Sequence, residues 1–122
     1  MPACTPAPAV AGWAGERGAD FFDVSSGGLV AHQQITTGPG YQVPLAAEIR
    51  AAGVGPVGAV GEITSGAQAE EILAAGDADV VLAGREWLRD PHFGLRALRE
   101  LGESDRTLER PLWPVQYARA AR

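Results

Sequence analysis

The chain has 122 residues, enough to bury a hydrophobic core without disulfide stapling and enough for one domain or part of one. Hydrophobic residues make up 46% and charged residues 20%, the balance of an ordinary globular chain. A net charge of -5 argues against nucleic-acid binding by general phosphate attraction and against docking on anionic membranes.

Residues 1–10 (MPACTPAPAV), rich in Pro and Ala, read as a flexible lead-in rather than an element. Residues 11–17 read as the end of a helix stopped by Gly18, and residues 19–25 (ADFFDVS) as a buried strand ending in the small-residue loop Ser25-Ser26-Gly27-Gly28. Gly38-Pro39-Gly40 signals a turn, and Pro44 suits a helix start. Leu45, Ile49 and Ala52 then share one face of a short helix ended by Gly53. Residues 56–60 (PVGAV) form a second strand with Gly61 at its end.

Ser65 and Gln68 have capping-box spacing, followed by the stripe Ala69, Ile72, Leu73 and a stop at Gly76. Residues 79–83 (DVVLA) form a third strand, apolar without alternation, as in a parallel sheet covered on both faces. Gly84-Arg85 stands at its end. Asp90-Pro91 predicts an N-cap and first helical residue, with Phe93, Ala97 and Leu101 on one face and Gly102 as the stop. This alternation predicts an α/β fold with parallel strands joined by right-handed crossovers. Three such strands leave two open edges, fewer than a doubly wound sheet or a (β/α)8 barrel contains. The expectation is a partial α/β domain completed by copies of itself or by another chain.

The absence of lysine excludes Schiff-base, P-loop and general-base lysines, because all ten basic residues are arginine. The single cysteine, Cys4, excludes an internal disulfide and a cysteine-built zinc site and carries no assigned role. His32 and His92 are too far apart for a sequence-local metal cluster, so no metal is expected. No apolar run approaches the roughly 20 residues of a membrane span, and the first ten residues lack signal-peptide character. The default compartment is the cytoplasm.

Ligands of α/β proteins sit at the C-terminal ends of the strands. Ser25, Ser26, Gly27 and Gly28 stand there after the first strand, as a ligand-contacting loop or a plain turn. Gly61 follows the second strand and Gly84-Arg85 the third. Two strand ends with free N–H groups plus one fixed guanidinium form an arrangement that holds a phosphate. The alternative for Arg85 is a surface ion pair with Glu86 or Asp90. His32 is a loop residue, solvated or in reach of a ligand. His92 reads as structural, and Trp87 as helix packing rather than a stacking platform. Trp113 and Tyr117 anchor the tail on another surface or fold it back on its own chain.

The segments FFDVSSGG, GPGYQVPLAAEIR, VGAVGEIT, AEEILAAGDADVVLAGREWLRDPHF and WPVQYAR, in this order, resemble the C-terminal part of the Old Yellow Enzyme family. The similarity is greatest to NADPH-dependent ene-reductases of the thermophilic-like branch. The resemblance covers roughly residues 18–119, AGREWLRDP being its most specific part, and leaves out the first ten or so. It implies an α/β fold that is part of an FMN-binding (β/α)8 TIM barrel. Barrel strands six to eight and their helices would lie in residues 11–102 and a C-terminal tail, a possible dimer contact, in residues 103–122. It implies that Gly61, Gly84 and Arg85 bind the FMN phosphate and that Ser25, Ser26 and Gln42 line the flavin region. Arg119, in QYAR, matches an arginine that reaches into a neighbouring subunit's active site.

The implied activity is NAD(P)H:flavin oxidoreduction. NADPH or NADH reduces FMN, which reduces an activated alkene or quinone. The family's substrate-anchoring histidine pair, flavin-tuning cysteine or threonine and tyrosine proton donor find no match here. His32, His92 and Cys4 do not take those places, so no catalytic residue is assigned. The chain is expected to be inactive alone, acting as a homodimer or with a complementing N-terminal half. The alternative is a non-catalytic FMN- or phosphate-binding partial barrel, or a truncated gene remnant.

Overall fold

A computed structural model describes residues 6–102, 113–117 and 119. The order is α1 (Ala7–Gly15), β1 (Phe22–Val24), α2 (Val43–Ala51), β2 (Val57–Ala59), α3 (Gly66–Ala75), β3 (Val80–Val81), α4 (Arg85–Arg89), α5 (Phe93–Glu100) and a 3-10 turn (Val115–Tyr117). The three strands form one parallel sheet in the order β1-β2-β3. Phe22 pairs with Val57, Val24 with Ala59, Gly58 with Val80 and Ala59 with Val81. The expected alternation and parallel pairing are both present.

Side chains alternate across the sheet. Val24, Val57 and Ala59 point to the helical layer and are buried with Ala46 and Ile49 of α2 and Ile72 of α3. Val57 is fully buried. The opposite face carries Asp23, Gly58 and Val80. The Phe21 and Leu82 side chains occupy the space a Gly58 Cβ would need. Phe21 and Val80 remain exposed there.

Two boundaries differ from the sequence expectation. Residues 7–10, expected to belong to a flexible lead-in, are the first turn of α1. Pro6 is the N-cap and a proline sits in the opening turn, where its missing N–H has no helical partner to lose. The last helix begins at Phe93, not at Pro91. The Asp90 carboxylate accepts from the His92 N–H at 2.9 Å and the Asp90 carbonyl accepts from the Phe93 N–H at 3.0 Å, so residues 90–92 form a turn. The expected cap of α3 forms in altered shape. Ser65 Oγ accepts from the Gln68 N–H at 3.2 Å, but Gln68 Oε1 reaches back to the Thr64 N–H at 3.0 Å, one residue before the cap. Gly76 ends α3 in the left-handed region.

At the N-terminal end of the strands, Arg50 of α2 donates through Nε to Asp79 Oδ1 at 3.1 Å and through Nη1 to the Gly76 carbonyl at 2.7 Å. Asp79 Oδ2 accepts from the Val57 N–H at 2.9 Å. One ion pair thus ties α2 to the end of α3 and to the starts of β2 and β3. The Val57 N–H, and then Arg50, hold the Asp79 carboxyl below its ordinary range.

Candidate functional site at the strand ends

The loops following the three strands meet at one end of the sheet. Residues 25–42 leave β1 and return at the Gly38-Pro39-Gly40 turn, where the Gly40 N–H donates to the Gly61 carbonyl at 2.8 Å. This brings Tyr41 and Gln42 beside the end of β2. Gln42 is 4% exposed. Its Oε1 accepts from the Ser26 N–H and, at 3.1 Å, from Ser26 Oγ, and its Nε2 donates to the Val60 carbonyl at 3.0 Å. The amide therefore braces the β1 loop against the β2 loop.

Gly61 is buried, with φ of 127°. A Cβ here would lie 3.0 Å from both Gln42 Nε2 and Tyr41 Cε1, so the close approach requires glycine. Glu62 follows at φ 52°, a left-handed conformation uncommon outside Gly, Asn and Asp. Gly84 caps α4 and places Arg85 at its first position. The first N–H groups of a helix lack intrahelical partners and favour anions.

These loops line a solvent-open cavity of about 480 Å³. Gln42, Gly61, Gly84 and Arg85, all anticipated from the sequence, line it. Ser25 and Ser26 do not: Ser26 is linked to it only through Gln42, and Ser25 lines a separate groove with Asp23 and Leu45. The Arg85 guanidinium is 69% exposed and lies 3.7 Å from Glu62 Oε1. The expected alternative pairing of Arg85 with Glu86 or Asp90 gives way to Glu62, because those carboxylates are held by other arginines. Glu86 pairs with Arg89 at 2.7 Å and Arg96 at 2.8 Å, and Asp90 with Arg96 at 2.7 Å.

Arg96 also holds Glu100 at 2.8 Å, while the other Glu100 oxygen accepts from the Gly66 N–H at 3.1 Å. Arg96, with the His92 N–H, lowers the Asp90 pKa; Arg96, with the Gly66 N–H, lowers that of Glu100; the Arg96 pKa rises in response. Tyr41, Glu62 and Arg89 line the cavity without having been singled out by sequence, and Glu86, considered only as an ion-pair partner of Arg85, lines it too. For Glu62 the available signal was its place directly after Gly61.

The remaining candidates lie elsewhere. His32 is exposed in the β1–α2 loop. His92 lies nearly parallel to Trp113 at 6.0 Å between ring centroids, with Tyr117 at 6.3 Å, so the described tail folds back on its own chain. Trp87 packs edge-on against Phe93 at 5.6 Å and does not line the cavity, as expected. Arg119 is exposed. Cys4 and residues 103–112 lie outside the described residues. Among the described residues there is no cluster able to hold a metal ion, and no helix long and apolar enough to cross a membrane.

A family profile described as NADH:flavin oxidoreductase / NADH oxidase matches residues 6–103. The chain belongs to this family. The match reaches back to residue 6, so residues 6–10, expected to fall outside the resemblance, are part of it. Among curated relatives, the chain is 49% identical over 111 residues to an NADPH dehydrogenase of Bacillus pumilus, covering 91% of this chain and 31% of that protein. It is 50% identical over 107 residues to one of Geobacillus thermodenitrificans, covering 88% and 29%. It is 49% identical over 107 residues to one of Bacillus subtilis, covering 88% and 30%. The chain thus spans about 30% of the length of these relatives. For this family, the parallel three-stranded sheet with its helices on one face is consistent with part of a TIM barrel.

Proposed function

We propose that this chain is the C-terminal segment of an FMN-dependent NAD(P)H:flavin oxidoreductase of the ene-reductase type. Its strands would be barrel strands six to eight, within residues 11–102, and its role is to hold the flavin phosphate. One observation carries this reading: Gly61, Gly84 and Arg85, from the ends of two neighbouring parallel strands, surround one cavity. The donor set fits a phosphomonoester. Arg85 offers a forked, exposed guanidinium, the first turn of α4 offers N–H groups, and Gly61 admits close backbone approach.

The chemistry FMN supplies when bound is relay of hydride from NADPH or NADH to the β-carbon of an activated alkene, or to a quinone. Gln42 keeps the β1 and β2 loops in fixed register beside the cavity, with Ser26 held against it. No described residue of the cavity forms a histidine pair able to polarise a substrate carbonyl. Turnover therefore requires groups from another part of a longer chain or from a partner, as a homodimer or a complementing N-terminal half. The tail, residues 103–122, is a proposed dimer contact, with exposed Arg119 as the residue that reaches a neighbouring site. A single cysteine suits a reducing, cytoplasmic setting.

The test is reconstitution of the purified chain with FMN, followed by desalting and a visible absorption spectrum. Retained flavin bands are expected, with NADPH oxidation on adding an enone only when the missing groups are supplied. A colourless protein would refute FMN binding. A yellow protein that never oxidises NADPH, even with a complementing half, would make it a binding module instead.

A further inference from the structure

We infer that Glu62 is a specificity-determining residue of the strand-end cavity. It competes internally for Arg85 and thereby sets how tightly the site holds a phosphorylated ligand. This rests on reading the cavity as the FMN-phosphate site.

Two carboxylates line the cavity, and they stand in different electrostatic positions. Glu86 is matched twice, by Arg89 at 2.7 Å and Arg96 at 2.8 Å, and its side chain is 11% exposed. Its charge is neutralised in place. Glu62 is 30% exposed and pairs with Arg85, the same cation that faces the cavity, at 3.7 Å. A long, largely solvated pair of this kind is weak. A phosphate making two parallel charge-assisted bonds to the guanidinium outcompetes it. The displaced carboxylate then stays beside a second negative group, and its repulsion opposes the phosphate.

The Glu62 backbone is held in place, so its carboxylate stays tethered beside the cavity. Glu62 sits at φ 52°, between Gly61 at φ 127° and buried Ile63. Gln68 Nε2 donates to the Glu62 carbonyl at 3.2 Å, and Gln68 Oε1 accepts from the Thr64 N–H at 3.0 Å. The α3 cap thus holds the backbone that leaves Glu62, while the Gly61 carbonyl before it accepts from the Gly40 N–H at 2.8 Å. A left-handed turn alone would favour Gly or Asn over Glu. The carboxylate at this position consequently limits phosphate affinity and keeps the ligand exchangeable.

The test uses flavin fluorescence titrations of FMN and riboflavin, which differ by the phosphate. The proteins are the wild-type chain, Glu62→Gln, Glu62→Asn, Arg85→Ala and the Glu62→Gln/Arg85→Ala double variant. Asn accepts the left-handed backbone, so it guards against a folding defect in the Gln variant. FMN affinity is expected to rise about two- to fivefold in both Glu62 variants, the range for an exposed pair. Riboflavin affinity is expected to stay constant, and the gain to vanish in the double variant. If neither Glu62 variant binds FMN more tightly while Arg85→Ala weakens it, this inference is overturned and the phosphate reading stands. A gain that persists in the double variant also overturns it. If wild type binds FMN no better than riboflavin, and Arg85→Ala changes nothing, the phosphate reading fails and this inference with it.

Discussion

At 4% exposure, Gln42 sits in the cavity wall with both ends of its amide committed to backbone from neighbouring loops. Replacing it by Leu strands the Val60 carbonyl and the Ser26 N–H. A buried polar group left without a partner costs about 1–3 kcal/mol. Gln42→Leu is therefore expected to lower stability by about that amount in urea titration. Gln42→Glu, which keeps the acceptor but sets a buried carboxylate against the Val60 carbonyl, should cost at least as much. Equal stability of all three proteins would show that the brace does not form. Gly61, Gly84 and Arg85 were legible in the sequence because strand ends followed by glycine and arginine mark a general ligand position. Glu62 was marked only by its place directly after Gly61: its side chain meets Arg85 because the backbone turns left-handed there, which its residue type does not announce. Of the Arg96 partners, only Glu100 stands at the i, i+4 helical spacing. Glu86 and Asp90 come into reach through the turn at residues 90–92.

Among the elements, α3 and α5 approach so closely that a Cβ on Gly66 would fall 2.7 Å from the Ala97 carbonyl oxygen and 2.8 Å from its Cα. Both are backbone atoms, so a whole helix must move. Gly66→Ala is expected to destabilise the chain by about 1–3 kcal/mol, as overpacking does. The shift should also weaken FMN binding, because α5 holds α4 through Arg96 and Glu86. A thermal melt at wild-type temperature would contradict the close approach.

Acid sensitivity belongs to the same scale. Asp79, Asp90 and Glu100 all have folded pKa values below their ordinary 3.8 to 4.5. Their contribution is complete above those ordinary values and lost as pH falls through the lowered ones. The melting temperature should stay level down to about pH 5 and drop below about pH 4, and Asp79→Asn should flatten that drop. An unchanged acid limb in Asp79→Asn would deny the Arg50–Asp79–Val57 tie its role. The sequence placed all three strands and their order, because apolar runs and glycine stops are local signals. It overextended the strands, since pairing with a neighbour, not composition, decides where each ends. It missed the start of α1 because prolines that open a helix look the same as prolines in a linker.

Among the described residues, one sheet face is covered and the other presents Phe21 and Val80 to solvent, with β1 and β3 as open edges. In a closed barrel that second face is interior. The 12.7 kDa chain is accordingly expected to self-associate in sedimentation velocity at raised concentration, and Phe21→Ser to reduce this. A monomer at all concentrations would mean that the face tolerates water. The family and the parallel architecture were readable from a few glycine-rich segments in order. How the loops share one cavity depended on side-chain hydrogen bonds that no segment carries by itself. The central claim is that the cavity at the strand ends holds the phosphate of FMN through Arg85. It is tested most directly by the phosphorus NMR signal of FMN titrated with the chain. The account predicts a shifted and broadened signal with wild type and the free position with Arg85→Ala. Flavin bound with an unperturbed phosphorus signal, or the same perturbation in Arg85→Ala, would contradict it.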